Sequence, residues 1–450
     1  MPRVLAKRFL LLAGLAAVWS ALPAKAQNGP RVKAQAGARA ASVGALDAMV
    51  KGLRYEELEA SLHLLPTGPE RDYFTGILAN REGRVDDSIQ LLQPVIPQIQ
   101  DEHPAQAAIG LWTLADDCIK SYRYLQAIGF YENLLAHFGE QLDSDDRKSV
   151  EDDYQAAKLL RNAPGQTISL SGPVRIATHR GAIGSLDANL TVNGVTASWI
   201  LDTGANFSTV SASFAKRLGV TLSAETAQTQ GITGAENQLH IAILPEMQLG
   251  SARVRNVVLL VLDDKSLDIP LGHGKHFQID AVLGFPVFQA LGAVTFSSDG
   301  WFEAGSVAGS TNSGARLFMH ELTPLLECSE SGRTMLYSFD TGANESVFSV
   351  RYYREFPKAF RLLKKKHYGM AGAGGLKMMY AYHLPRVVLN VGKAPVVLRD
   401  VPVIAGLTGT DHDKVYGNLG RDAVAGFRSF TLDFTNMRFA LGAPVKLPGQ

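Results

Sequence analysis

Hydrophobic positions recur with two different periods along this chain, and the period changes between residues 160 and 167. From 44 to 160 apolar residues return every three or four positions, the spacing of amphipathic helices. Residues 71–80 read as one helix, Glu82-Gly83-Arg84 as its turn, and 85–92 as the opening of a partner that ends near Pro94. A second pair covers 105–119 and 122–137, with Ala127, Ile128, Tyr131, Leu134 and Leu135 forming an apolar face. The acidic segment 143–153 reads as a solvated surface or linker. From Thr167 the pattern becomes alternating, predicting strands at 168–170, 174–177 and 186–192. Asn193-Gly194 then marks a two-residue hairpin turn into a strand at 196–201. A short helix follows at 212–218, then strands at 239–244, 247–249, 257–262 and 301–303. Later come strands at 335–339 and 347–350, an amphipathic stretch at 351–360, and strands at 387–391 and 396–404.

One motif occurs twice in this alternating region. Leu201-Asp202-Thr203-Gly204-Ala205-Asn206 is matched by Phe339-Asp340-Thr341-Gly342-Ala343-Asn344, the length of a small all-β domain further on. Each aspartate stands in a tight loop just past an apolar strand, and a second apolar strand resumes soon after it. A second matched pair lies downstream. Val282-Leu283-Gly284 follows the first aspartate at almost the same spacing as Asn418-Leu419-Gly420 follows the second. Strand-like runs come after both, at 293–296 in one half and at 430–434 and 437–441 in the other. A lone Asp-Thr-Gly reads as a turn; two in matching frames form an internal repeat.

These residues resemble those of the aspartic peptidases, and each half resembles a lobe of the retroviral-type (retropepsin-like) branch found in bacteria. The resemblance covers residues 170 to 445 in round terms. It implies a multidomain chain in which an α-helical hairpin region precedes two mainly-β acid-protease lobes, 167–309 and 310–446, forming a pseudo-two-fold pair. It also implies Asp202 and Asp340 as the catalytic pair, with Thr203 and Thr341 hydrogen-bonding across to the opposite loop. Flaps would cover the substrate near 228–236 and 368–375. Gly204 and Gly342 let the backbone approach the carboxylates closely. Two such carboxylates share one proton and can activate a water for attack on a peptide carbonyl. Asn418 departs from the pattern, standing where the first half has Val282. The helices of 44–160, with small residues at Gly76, Ala79 and Gly83, resemble tetratricopeptide-type hairpins; an ordinary helical bundle is the alternative.

Composition narrows the partners. Lys plus Arg number 44 and Asp plus Glu 43, so nothing steers the chain toward nucleic acid or an anionic surface. Two cysteines exclude a disulfide framework and a cysteine-only zinc site, and leave Cys118 and Cys328 either paired or as buried thiols. Arg3, Lys7 and Arg8, the apolar run 9–18 and Ala24-Lys25-Ala26 read as a signal peptide over 1–26. Its cleavage would place the protein in the bacterial periplasm or outside the cell; an uncleaved anchor is the alternative. Residues 27–43 read as a disordered leader. No cofactor or metal is expected: His273, His276 and Asp411-His412-Asp413 read as polar loops, Lys364-Lys365-Lys366 as a solvated run, and Asp422 and Asp433 as structural or surface residues. The function expected is a monomeric aspartic endopeptidase acting on a peptide or protein in the cleft between the lobes, with the helical region free to dock a protein partner. A catalytically silent binding scaffold is the other reading.

Overall fold

The computed structural model describes residues 43–230, 236–305, 314–372, 375–408 and 413–445. The segments read as signal peptide and leader lie outside the described residues, apart from Val43, which opens the first helix. Also outside are 231–235 and 373–374 in the two expected flaps, the boundary between 309 and 310, and Asp411 and His412.

Among the described residues seven α-helices come first: α1 (Val43–Lys51), α2 (Tyr55–Leu62), α3 (Pro69–Arg81), α4 (Val85–Ile99), α5 (Pro104–Lys120), α6 (Tyr124–His137) and α7 (Ser144–Leu160). Two differ from the sequence reading. Helix α4 does not end near Pro94 but runs through Pro94 and Pro97 to Ile99. Each proline removes a backbone donor, yet Leu92, Val95, Ile96 and Ile99 are buried. Leu92 lies against Gly76 of α3 and Ile96 against Gly110 of α5, so tertiary burial holds the turn that local preference opposes. The acidic segment 143–153 is no linker. Asp143 caps α7 by accepting from the Asp145 and Asp146 amides at 3.1 and 2.9 Å. Arg147–Glu151 and Lys148–Asp152 pairs at i,i+4 spacing line its outer face. Val150, Ala157 and Leu160 are buried on the other.

A large mixed β-sheet system follows. Its first set contains β1 (Thr167–Leu170), β2 (Val174–Arg180), β3 (Leu186–Val192), β4 (Val195–Leu201), β5 (Ser208–Ser211), β6 (Ala227–Gln230), β7 (Glu236–Leu249) and β8 (Ala252–Leu262). Then come β9 (Asp268–Gly272), β10 (Lys275–Gln278), β11 (Ala281–Leu283), β12 (Ala293–Ser297) and β13 (Trp301–Ala304). Helix α8 (Ala212–Leu218) follows β5 and α9 (Phe285–Ala290) follows β11. The β3–β4 turn has positive φ at both Asn193 (48°) and Gly194 (76°), the backbone that an Asn-Gly hairpin requires. The expected strands at 239–244 and 247–249 are one continuous strand, β7.

The second set is β14 (Ala315–His320), β15 (Thr323–Glu330), β16 (Arg333–Phe339), β17 (Val347–Phe348), β18 (Lys366–Gly372), β19 (Gly375–Val391), β20 (Ala394–Val403), β21 (Gly417–Leu419), β22 (Ser429–Asp433) and β23 (Arg438–Leu441). Strand β17 stops at Phe348, short of the expected 350, because Ser349 caps α10 (Val350–Glu355) by accepting from the Arg351 amide at 3.1 Å.

Pairing follows the same course in both sets. In the first, β2 pairs β3, β3 pairs β4, β4 runs parallel to β11, β11 antiparallel to β5, and β5 parallel to β8. In the second, β14 pairs β15, β15 pairs β16, β16 runs parallel to β21, β21 antiparallel to β17, and β17 parallel to β20. The sets join in one sheet of order β2-β13-β12-β22-β23-β14. At its middle Thr295 faces Thr431, and their hydroxyls are 2.8 Å apart.

The helices rest on both sets. Phe318, Leu325, Leu336 and Val415 join the helical core, with Tyr55 and Phe318 ring centroids 5.1 Å apart. Tyr124 and Leu160 pack with Ile241 and Val258 of the first set. Cys118 and Cys328 are buried free thiols. Among the described residues no helix is long and apolar enough to cross a membrane.

Candidate active site

Two parallel pairings place the repeated aspartates. Strand β4 delivers Asp202 beside β11, where its amide donates to Leu283 O at 3.1 Å; β16 delivers Asp340 beside β21, where its amide donates to Leu419 O at 3.0 Å. The chain beyond each distal glycine then closes on the loop: Phe285 N donates to Ala205 O at 2.8 Å and Arg421 N to Ala343 O at 2.9 Å. Gly284 N and Gly420 N donate to the hydroxyls of Ser208 and Ser346, at 3.0 and 3.1 Å. The sequence repeat is thus a repeat of hydrogen bonds.

The two loops lock together through their threonines. Thr203 N donates to Thr341 Oγ1 at 3.0 Å, and Thr341 N donates to Thr203 Oγ1 at 3.1 Å. Each hydroxyl passes its proton onward across the junction, Thr203 to Phe339 O at 3.2 Å and Thr341 to Leu201 O at 2.7 Å. All four donors and acceptors are buried and satisfied, so the lock is complete.

Between the loops lie the carboxyls, with Asp202 0% and Asp340 2% exposed. Gly204 N donates to Asp202 Oδ1 at 2.8 Å, and Gly342 N to Asp340 Oδ1 at 2.7 Å. Each carboxyl also rests on the opposite glycine. A Cβ on Gly204 would lie 2.6 Å from Asp340 Cγ, and one on Gly342 would lie 2.5 Å from Asp202 Cγ. No side chain fits there, which accounts for both glycines. Burial pushes Asp202 well above the usual carboxylate range, and the charge of Asp340 pushes it further. Burial also raises Asp340, opposed by Asp202 acting as a donor, by the Gly342 and Ala343 amides and by Asn418. Asp202 Oδ2 is buried and accepts from no donor among the described residues, so Asp202 is the carboxyl that offers a proton to its partner. One proton shared by the two is the arrangement that satisfies both.

All six sequence-predicted residues therefore meet at one place. Other residues join them. Asn418 Nδ2 donates to Asp340 Oδ2 at 3.3 Å, and Ser338 Oγ donates to Asn418 Oδ1 at 2.7 Å. Arg421 donates to Gly184 O and Asn344 Oδ1, while Asn344 Nδ2 donates to Ile183 O at 3.0 Å. These tie the second aspartate loop to the β2–β3 turn. Burial pushes the Arg421 guanidinium down to about 10, helped by Arg180 and opposed by Asp340, Asp187 and Asp202. Asn418 was visible in the sequence as a departure from the repeat. The Arg421 contacts carried no such signal, because Gly184 belongs to the first set of strands and Arg421 to the second.

Among the described residues none of the remaining candidates touches the carboxyl pair. His276 Nδ1 lies 2.8 Å from Asp268 Oδ2 on the β9–β10 hairpin. Asp422 accepts from Ser346 Oγ at 2.6 Å, and Asp433 accepts from the Thr435 and Asn436 amides. Among the described residues no three His, Cys, Asp or Glu are grouped to hold a metal ion. A cavity of about 610 Å³ between the end of α7 and the first set of strands is bounded by Arg161, Glu225 and Ile243, and contains none of the site residues.

Comparison with known proteins bears on one half of this arrangement. Residues 188–287 match the family model described as Aspartyl protease. The match runs from β3 to α9 and takes in Asp202-Thr203-Gly204 and Val282-Leu283-Gly284, so that stretch is similar to an aspartyl protease. No curated protein matches the chain. Among solved structures, a retropepsin-like aspartic protease from Rickettsia conorii is similar at 20% identity, covering 31% of this chain and 94% of that one with a TM-score of 0.21. Basic 7S globulin from soybean is similar at 13% identity, covering 62% and 98% with a TM-score of 0.36.

Proposed function

We propose that the protein is an aspartic endopeptidase that hydrolyses peptide bonds with a water activated between Asp202 and Asp340. The observation that carries this reading is the reciprocal Thr203–Thr341 lock, which holds two buried carboxyls against each other's glycines. Residues 167–309 and 310–446 are read as two retropepsin-like lobes of one chain related by a pseudo-two-fold axis. Supporting this are the matched pairing order and the shared sheet centred on Thr295 and Thr431. Since one chain supplies both aspartates, a monomer suffices.

In this reading the charged carboxyl takes a proton from water as the water oxygen bonds to the scissile carbonyl carbon. The protonated carboxyl gives its proton to the carbonyl oxygen, and a neutral diol forms. The first carboxyl then protonates the amide nitrogen, a diol hydroxyl returns its proton to the second, and the C–N bond breaks. Acid and amine leave, and the pair is back in its starting state. The β6–β7 and β18–β19 hairpins serve as flaps, whose edges offer main-chain hydrogen bonds to an extended peptide. The N-terminal pattern supports action in the periplasm or outside the cell, and the helices of 44–160, read as tetratricopeptide-like, offer a protein-docking surface.

Peptide-library cleavage between about pH 3 and pH 8, a span that takes in the ordinary carboxylate range and values raised above it, tests the proposal. Asp202→Asn and Asp340→Asn should each abolish cleavage while circular dichroism stays native. Cleavage at wild-type rates in either folded variant would overturn it.

A further inference from the structure

The two halves of the site are not equivalent, and the difference lies at one register position. In the first set Ile200 of β4 faces Val282 of β11; in the second, Ser338 of β16 faces Asn418 of β21. Each member stands two residues before its Asp or its distal Gly. All four are buried, with exposures of 2, 3, 4 and 3%. An apolar pair on one side is thus replaced by a polar pair on the other, inside a core where an amide must find partners.

Asn418 finds them in a fixed orientation. The Ser338 hydroxyl donates to Asn418 Oδ1, which aims the amide nitrogen at Asp340 Oδ2. Asp340 thereby accepts from Gly342 N, Ala343 N and Asn418 Nδ2, one side-chain donor more than Asp202 has from its own half. Donors of this kind favour the ionised form of the group they face. We propose that the Ser338–Asn418 pair makes the carboxyls inequivalent, holding Asp340 as the charged base that takes the water proton and leaving Asp202 as the carrier of the shared proton. Asn418 is then a positioning residue acting through Asp340. This rests on the endopeptidase reading for its consequence in catalysis, and on geometry alone for the placement of the proton.

Other charged groups act on the same pair and have to be held constant. Arg421 lies in the turn after Gly420, with Asp187 of β3 and Arg180 of β2 beyond it. None is altered by a change at Asn418 or Ser338.

The test reads the carboxyls directly. Full-length protein labelled with ¹³C at aspartate carboxyls is titrated by NMR, the two resonances being assigned with Asp202→Asn and Asp340→Asn. In the wild type the Asp340 carboxyl should ionise at lower pH than Asp202. Asn418→Val, which copies the first half, should raise the Asp340 midpoint by about one pH unit, the worth of one hydrogen bond to a charged group. Ser338→Ala frees the amide to turn and should move it in the same direction by less. The acid limb of the kcat/KM profile should follow both shifts. A reversed order of ionisation, or an unmoved Asp340 midpoint in both folded variants, overturns the assignment. Shifts as expected in a wild type that cleaves no peptide would instead leave the proton assignment standing and refute the endopeptidase.

Discussion

The threonine lock makes a quantitative demand on Thr341. Its hydroxyl oxygen accepts from Thr203 N and donates to Leu201 O, and both groups are buried. Thr341→Val keeps the shape and removes the hydroxyl, leaving one N–H and one C=O without partners. Each orphaned group costs about 1–3 kcal/mol, so the pair costs about 2–6 kcal/mol. The added methyl group offsets this by about 0.8 kcal/mol of apolar burial. The expected loss is about 1–5 kcal/mol, a large part of the about 5–15 kcal/mol that holds a typical domain together. Thr341→Ser keeps both bonds and gives up only the methyl, about 1 kcal/mol. Urea unfolding followed by tryptophan fluorescence measures the difference, since Trp199 is buried on β4 two residues before Leu201. A Val variant as stable as the Ser variant would refute the claim that these hydroxyls join the two loops.

Two further outcomes are expected. Gly342→Ala would place its Cβ 2.5 Å from Asp202 Cγ and force that carboxyl from its seat. Displacements on this scale cost about 100-fold in rate, so kcat/KM on a library-selected peptide should fall at least that far; a loss under about twofold would contradict the packing. Elsewhere, burial pushes the Asp117 carboxyl up to about 7, with Asp116 adding to the effect and Lys120, Ser88 and Asn80 opposing it. Its folded value lies above its unfolded one, so its contribution to stability is full below the ordinary carboxylate range and is lost as pH rises from about 4 through about 7. Asp117→Asn should therefore flatten the decline in melting temperature over that interval, and an unchanged slope would count against it.

Much of the site was legible because a hydrogen-bond repeat is written as a residue repeat. Asp-Thr-Gly supplies a carboxylate, a hydroxyl and a position without Cβ, and few residue types meet those demands together. The hairpin at Asn193-Gly194 and the helix at 212–218 were equally local, set by positive φ and by a Ser211 cap. Local rules failed where tertiary burial opposed them. Pro94 predicted an end to α4, and only the packing of Leu92 and Ile96 on Gly76 and Gly110 carried the helix past it and past Pro97. The acid-rich 143–153 stretch read as solvated surface or linker; its outer face is solvated, but charge density masked the helix, its i,i+4 ion pairs and the sparse apolar face beneath.

Residue order alone determined that two matching aspartate loops exist, because the chemistry that forms each loop is local. Tertiary structure alone decided how the two differ. Asn418 was a visible exception in the sequence, but its partner Ser338 and its target Asp340 both lie far from it along the chain. Only the parallel β16–β21 register brings them together and turns an apolar-to-polar substitution into a hydrogen bond on one carboxyl. Distance along a chain carries no information about such contacts. The pairing of strands does, and it depends on the whole fold.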